Sequence, residues 1–569
     1  MTDDRQDRDP TQSDTGPSRI EGLSTGVPGF DAILGGGLPR YSFNLIAGSP
    51  GSGKTTLAQQ IIFANATAES PALYFTVLGE PALKMLRYQR EFAFYEPSLV
   101  GSAIHYVNLS EEALAPDLNA VLARMIAEVE RLKPAIVVVD SFRTLTGRDG
   151  ESSRARQMDI EEFIQRLALH LTTWEVTSFL IGEYSEREQR NPVFTVADGV
   201  FWMSQVTDRN SVVRKVQVVK VRGRAPMPGL HTYRLTGKGV QIFPRIPEYQ
   251  LERHPQVMRR LTTGVPGLDD LIGGGVPAGD ALMLAGPAGS GKTTFATQFA
   301  AEGLRQGEAV IIVVFEEHPE EYLARAKARN QHLERGIAAG KLRIMYLRPL
   351  DLSVDETLAE ILEAAGSLEA TRVIIDSLSG FEVALAPTFR EDFRESLYRL
   401  VGALTATGVT LFMTTEIVGD YPHVRFTTEK VSFITDDIIV QRFVEIDGVL
   451  RTVMAIHKMR GSEHSHDFLS YEVTSNGAVI GGPLRNYRGI TTGVPEIELR
   501  PMQAHPGLTE REEMVLSTLV RLGTASPELL ADRSGQHRSD LPQTLIRLVA
   551  LGYAVEADSG TYRAVATNG

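Results

Sequence analysis

The chain has 569 residues, 43% of them hydrophobic and 23% charged, with no cysteine and a formal net charge of −13. That length accommodates three or four domains with buried cores, the missing thiols exclude disulfides and cysteine chemistry, and the acidic balance argues against bulk electrostatic coating of nucleic acid. No apolar run approaches the roughly 18 residues of a membrane span, and the start MTDDRQDRDPTQSDTGPSR has no apolar signal-peptide core, so a cytoplasmic location is expected.

Residues 1–19 are polar and proline-bearing and read as a disordered tail. The stretch STGVPGFDAILGGGLPRYSFNLIAGSPGSGKTT (24–56) then recurs as TTGVPGLDDLIGGGVPAGDALMLAGPAGSGKTT (262–294). Lys54 and Lys292 are 238 residues apart, and so are KVRG at 220–223 and KMRG at 458–461. A repeat of that length is a duplicated domain. The copies are expected at 20–250 and 257–487, joined through IPEYQLERHPQVMR (246–259).

Within each copy, apolar strands (NLIAG, AIVVVD, TSFLIG; LMLAG, RVIID, VTLFMT) alternate with helix-length segments such as LAQQIIFA and FATQFAAEGL. This pattern predicts an α/β fold with parallel sheets covered on both faces. Beyond a link at 488–507, LTEREEMVLSTLVRLG opens with Thr509 and Glu512 in a capping-box spacing. Two further helices, with Pro542 near the start of the second, and a small hairpin complete 508–569; this order resembles a winged helix-turn-helix module.

Each copy carries GxxxxGK[ST] between an apolar strand and a helix. Gly48, Ser49, Pro50, Gly51, Ser52, Gly53, Lys54, Thr55 and Thr56 form the first loop, and Gly286, Pro287, Ala288, Gly289, Ser290, Gly291, Lys292, Thr293 and Thr294 the second. In such loops backbone N–H groups wrap a polyphosphate, the lysine reaches the β/γ-phosphates and the threonine hydroxyl binds Mg²⁺, so two ATP sites are expected. Asp140 and Asp376 each end an apolar strand, before Ser141 and Ser377, where a carboxylate serves the Mg²⁺ of the nucleotide; a helix N-cap is the plainer reading. Phosphoryl transfer also needs a carboxylate for the nucleophile's proton. Glu316 and Glu317 in VVFEEHP offer a pair, with Glu316 a further metal candidate, whereas the first copy has Gly79-Glu80 and matches only after a one-residue slip. The expected bases are therefore Glu80 in the first copy and Glu316/Glu317 in the second. Lys220 with Arg222, and Lys458 with Arg460, read as cations two apart on a strand, facing one side. They could reach a γ-phosphate, a neighbour's included, or form an ordinary exposed strand edge. His464 and His466 in SEHSHD read as solvated surface rather than a metal site.

Together, the tandem TGVPGxDxxxGGG, P-loop, Glu-Glu strand and K-x-R-G motifs resemble the KaiC family of circadian-clock ATPases and autokinases, of the RecA-like superfamily, over about residues 20–490. The resemblance implies two tandem RecA-like P-loop domains and a homohexameric double ring with ATP between subunits. The first domain would be a slow ATPase that drives assembly, and the second would phosphorylate its own serine or threonine. It brings Lys220, Val221 and Arg222, with Lys458, Met459, Arg460, Gly461 and Ser462, to the adjacent protomer's nucleotide, and it implies Kai-type or other signalling partners. The family's Ser-Thr acceptor pair stands here as Ser432-Phe433 in VSFITDD, with Thr427 a further acceptor upstream and Arg394 among the basic groups able to pair with a phosphate. Arg329 occupies the place of an adenine-side tryptophan, residues 484–495 match a regulatory tail loop, and the segment after it has no counterpart in the family.

The competing reading is a RecA/RadA-like DNA-dependent motor gripping DNA through the C-terminal module. Residues 508–569 carry six Arg and no Lys against eight Asp/Glu, with Arg538 and Arg547 on the presumed recognition helix. So few cations neutralise few phosphates, and protein docking is favoured over DNA.

Overall fold

Short, largely apolar runs, too brief for helices, settle between neighbours as buried strands. The computed structural model describes residues 21–77, 82–110, 118–142, 154–184, 192–208, 211–245, 259–327, 332–347, 352–390, 393–417, 434–446, 448–485, 487–490, 496–497, 505, 507–557 and 560–565. The first domain holds β1 (Phe43–Gly48), β2 (Ala72–Thr76), β3 (Ile104–Asn108), β4 (Ile136–Asp140), β5 (Thr177–Glu183), β6 (Gly199–Asp208), β7 (Ser211–Val221), β8 (Leu230–Thr236) and β9 (Gly239–Phe243). They lie in the order β3-β2-β4-β5-β1-β6-β7-β8-β9. From β3 to β6 every pairing is parallel, and the last three pairings are antiparallel.

The second domain repeats this plan strand for strand. Its strands are β10 (Ala281–Gly286), β11 (Val310–Val314), β12 (Leu342–Tyr346), β13 (Arg372–Asp376), β14 (Thr410–Glu416), β15 (Asp437–Ile446), β16 (Val449–Lys458), β17 (Leu469–Thr474) and β18 (Gly477–Pro483). Their order is β12-β11-β13-β14-β10-β15-β16-β17-β18. Alternate residues of the central strands feed two cores: Leu45 and Ala47 of β1 pack on one face of the sheet and Ile46 on the other. Both faces are thus covered, as a parallel sheet requires.

The TGVPGxD motif is a local lock. Asp31 Oδ1 accepts from Thr25 N at 2.9 Å and Thr25 Oγ1 at 2.6 Å, and Asp269 Oδ1 accepts from Thr263 N at 2.8 Å and Thr263 Oγ1 at 2.7 Å. Each threonine hydroxyl in turn accepts from the N–H of the following valine, at 3.2 Å. The chain entering each domain is thereby pinned to the turn before its glycine triplet.

The first domain grips the second through β8 and α3 (Val354–Leu368), the helix that follows α1 (Lys54–Asn65) and α2 (Lys292–Arg305) in our numbering. Thr232 and Ser353 share a hydroxyl hydrogen bond at 3.0 Å, and Arg234 Nε donates to both oxygens of Glu356 at 2.9 and 3.0 Å. Ser353 is also the N-cap of α3, its side chain accepting from Glu356 N.

At the C-terminus, α4 (Glu510–Leu522), α5 (Pro527–Ser534) and α6 (Leu541–Ala550) pack with a three-stranded antiparallel sheet around Val515, Leu519, Leu530, Leu545 and Leu548. The Thr509–Glu512 capping box forms in both directions, and Pro542 lies in the first turn of α6, where its missing N–H leaves no helical bond unmade.

Asp269→Ala removes the acceptor of two bonds from the buried Thr263 and should lower the stability of the second domain by about 1–3 kcal/mol, read as a lower urea midpoint. The exposed neighbour substitution Asp270→Ala should change it by less than about 0.5 kcal/mol.

Candidate nucleotide sites

Both glycine loops leave the carboxyl end of the central strand and turn into a helix, at the edge where open α/β sheets bind ligands. Gly51 and Gly53, like Gly289 and Gly291, adopt positive φ, from 72° to 90°, which aims successive backbone N–H groups into one concavity. A Cβ on Gly291 would also lie 2.6 Å from Val473 Cγ2. Lys54 Nζ donates to the carbonyls of Gly48 at 3.2 Å and Ser49 at 2.7 Å; Lys292 Nζ donates to those of Gly286 at 2.9 Å and Pro287 at 2.8 Å.

The loops are held from behind by contacts with no motif of their own. Tyr233 OH donates to Ser52 O, and Tyr471 OH to Ser290 O at 2.7 Å. Gln60 of α1 grips Val240 through both its amide atoms, as Gln298 of α2 grips Ala478, so the helix opened by each P-loop is clamped to the last hairpin. In the second copy, a cavity of about 310 Å³ is lined by the loop residues Gly289, Gly291, Lys292, Thr293 and Thr294, by Tyr322 and Arg325, and by Val473, Asn476 and Gly477.

Asp140 and Asp376 stand beside the P-loops. Thr55 Oγ1 donates to Asp140 Oδ2 at 2.7 Å, a pair of hard oxygens of the kind Mg²⁺ takes. Tyr74 OH also donates to Asp140, at 2.7 Å, from β2; Asp376 instead receives Thr414 Oγ1 at 2.5 Å from β14 on its opposite side. Each copy thus orients its aspartate with one strand-borne hydroxyl, taken from opposite neighbours. The peptide bonds to Ser141 and Ser377 are both cis.

Glu316 and Glu317 have separate environments. Glu316 Oε1 accepts from Ser377 Oγ at 3.1 Å, beside Asp376. Glu317 is ion-paired with Arg325, and burial nevertheless raises its carboxyl above the ordinary range. Burial likewise lowers both P-loop lysines. Glu183 and Asp140 oppose that shift at Lys54, and Glu416, Asp376 and Glu316 oppose it at Lys292. Glu183 and Glu416 were not singled out in the sequence. They end β5 and β14, in register with Gly48 and Gly286.

The reading of Lys220/Arg222 and Lys458/Arg460 as strand neighbours needs correction. β7 ends at Val221 and β16 at Lys458, and each has a register shift close to its end. The arginines therefore lie in the following turns, set by Asp198 at 3.0 Å and Asp436 at 3.2 Å, with their side chains 63% and 72% exposed. The lysines turn back to the carbonyls of Thr195 at 3.2 Å and Thr435 at 2.6 Å. Val221 and Met459 are buried; Gly461 takes a positive φ, and Ser462 accepts from Arg260. His464 and His466 rings meet edge-on 4.7 Å apart, and no metal-holding group of three or more His, Cys, Asp or Glu occurs among the described residues. Glu80, Arg329, Thr427, Ser432 and Phe433 lie outside the described residues.

The profile of the family described as "ATPase: KaiC" matches residues 23–246 and again 261–485. The chain belongs to the KaiC ATPase family. Among curated relatives it is similar to the circadian clock oscillator protein KaiC of Prochlorococcus marinus, at 27% identity over 84% of this chain and 96% of that one. The circadian clock protein KaiC3 of Synechocystis is 28% identical (84% and 95%), and the KaiC of Thermosynechococcus vestitus 27% identical (84% and 92%). Family membership makes the two tandem domains RecA-like and the chain an ATP-binding ATPase. No helix among the described residues is long and apolar enough to cross a membrane.

Gly291→Ala forces a side chain into left-handed backbone and onto Val473. Measured in a Lys54→Ala background with a fluorescent ATP analogue, it should weaken binding by about tenfold or more, the equivalent of the roughly 1–2 kcal/mol strain plus the clash. Unchanged affinity would place the nucleotide elsewhere.

Proposed function

We propose that this KaiC-family ATPase is a self-phosphorylating signalling or timing switch, with a hydrolytic first copy and a second copy that transfers phosphate to a hydroxyl of its own assembly. The observation that carries this reading is the carboxylate asymmetry. Glu316 approaches Lys292 and Asp376 in the second copy, and Glu317 is engaged by Arg325, which itself lines the cavity. Glu316 is therefore the group to take the nucleophile's proton, while Glu317 holds Arg325 toward the nucleotide. In transfer, the acceptor oxygen bonds to the γ-phosphorus, the bond to the β,γ-bridging oxygen breaks, its electron pair leaves on ADP, and the acceptor proton passes to Glu316. Mg²⁺ bound with ATP would supply charge neutralisation; Thr55 and Asp140, and Thr293, Asp376 and Glu316, are the residues to hold it.

Ser432 is the main acceptor in this reading, with Thr427 a second. Phe433 has no hydroxyl, so the programme is a single on/off phosphate or one shared with Thr427. The exposed Arg222 and Arg460, buttressed by aspartates, suit a reach to the nucleotide of an adjacent protomer in a homohexameric double ring. Clock proteins among the relatives support a role in biological rhythm with Kai-type partners. We read the C-terminal segment as a winged-helix-like module that docks protein rather than DNA. Of the two arginines expected on its recognition helix, Arg538 lies in the turn before α6 and pairs with Asp532, while Arg547 on α6 pairs with Glu512.

Incubation with γ-labelled ATP should label the wild type, and Ser432→Ala or Glu316→Gln should remove most of the label. Label that survives Ser432→Ala would move the acceptor, and an unlabelled wild type would reduce the second copy to an ATPase. Light scattering should show six protomers with ATP and fewer without it, and Lys54→Ala should impair assembly more than Lys292→Ala. Assembly indifferent to nucleotide would contradict the ring.

A further inference from the structure

The turns that carry Arg222 and Arg460 are anchored differently in the two copies. Each guanidinium is buttressed by one aspartate, Asp198 or Asp436. The backbone N–H of Arg222 donates to the carbonyl of Asp198 at 3.0 Å, whereas that of Arg460 donates to a side chain, Asp437 Oδ1, at 3.1 Å. Asp437 is the first residue of β15 and is fully buried, and its second oxygen, Oδ2, has no hydrogen-bond partner among the described residues. The 238-residue offset places Gly199, the first residue of β6, at this position. A side chain has no room there: a Cβ on Gly199 would lie 2.2 Å from Asn44 Oδ1. Asn44 pairs with Gly199 across β1 and β6, as Leu282 pairs with Asp437 across β10 and β15. The buried polar group at this strand pair is thus an amide from β1 in the first copy, bonded to Ser42 and Ser178, and a carboxyl from β15 in the second, bonded to Arg460. Of the two, only the carboxyl titrates.

We propose that Asp437 is a positioning residue of the second copy, whose carboxylate fixes the backbone of Arg460 so that the guanidinium meets the nucleotide of the adjacent protomer. The inference rests on the reading, given above, that Arg460 reaches across that boundary. A charge-assisted hydrogen bond is roughly twice as strong as a neutral one, so the ionised carboxyl holds the Arg460 N–H most firmly. Ionisation has a cost here. Burial pushes the Asp437 carboxyl up to about 7; the Arg460 N–H and Arg260 oppose the shift, and Asp280, before β10, and the adjoining Asp436 add to it. Lys458, in register with Ile438, turns its ammonium to the carbonyl of Thr435. The anchor is therefore half-formed near neutrality, firm above it and slack below. Stability runs the other way. Because the folded value is raised above the ordinary 3.8, the stability that Asp437 contributes is complete below about pH 4 and is lost as pH rises through about 7. The first copy, with Asn44 and Gly199 in this place, has no titratable group there.

The test reads ADP formation by the full-length chain with saturating ATP and Mg²⁺ between about pH 6 and 8, since ADP counts hydrolysis and transfer alike. The same measurement on Lys292→Ala gives the first copy alone, and the difference gives the second. The second-copy rate should rise about three- to tenfold across this range, with its midpoint near 7. Asp437→Asn keeps an acceptor oxygen without the charge. Its second-copy rate should stay flat at the parent's low-pH level, with the first-copy rate within about twofold and the mass by light scattering unchanged. Arg460→Ala should slow the second copy about tenfold or more and remove the step near neutrality. A step that is missing from the parent, or that survives Asp437→Asn, would overturn this inference while a slow Arg460→Ala leaves the reach of Arg460 intact. A loss in Asp437→Asn that is equal at every pH would make the residue structural and overturn it too. Should Asp437→Asn fail to assemble, the parent's step decides the matter, and a step that persists without Arg460 overturns the inference. Arg460→Ala at the parent's rate would overturn the reach across the boundary, and this inference with it.

Discussion

Each domain is organised around one backbone constraint: the chain must leave the end of a buried central strand through two left-handed glycines and enter a helix within a few residues. Gly51 and Gly53, and Gly289 and Gly291, satisfy it in the two copies. A turn of that shape exposes several N–H donors at once and cannot hold itself. The surrounding sheet does so, with Tyr233 and Tyr471 bonded to a carbonyl inside each loop and Gln60 and Gln298 fastening the following helix to the last hairpin. The antiparallel end of each sheet thus serves the parallel half by keeping the phosphate cradle closed.

The same hairpin joins the two domains. Along β8, Tyr233 faces the first P-loop while its neighbours Thr232 and Arg234 reach Ser353 and Glu356 at the start of α3. Strand alternation makes this unavoidable, because successive side chains point to opposite faces. A residue that holds the first nucleotide loop therefore shares a strand with the residues that seat the second domain.

Much of this was legible in the sequence and some was not. The P-loops, the strand-end aspartates, the tandem RecA-like plan and the Thr509 cap could be read because each is a local pattern with a fixed spacing. Glu183 and Glu416 could not, because a glutamate at a strand end resembles any solvated residue. They are also offset by 233 residues rather than 238, so aligning the repeat on its lysines does not bring them together. Tyr74 and Thr414 escaped for a related reason: they do the same work from different strands, so comparing the copies residue by residue pairs each with an isoleucine, Ile312 and Ile181. Alternation puts Lys220 and Arg222, two apart, on one face of a strand, but the strand ends between them.

Duplication followed by exchange of a few carboxylates gives one chain two phosphate cradles with the same backbone and different acidic surroundings. In the function proposed above, these carboxylates decide the fate of the γ-phosphate, and transfer belongs to the second cradle alone. The direct measurement is the partition of γ-label between free phosphate and protein in the wild type and in Lys292→Ala. Label should reach both fractions in the wild type, and only free phosphate once Lys292 is gone. Protein-bound label that persists in Lys292→Ala would contradict that function.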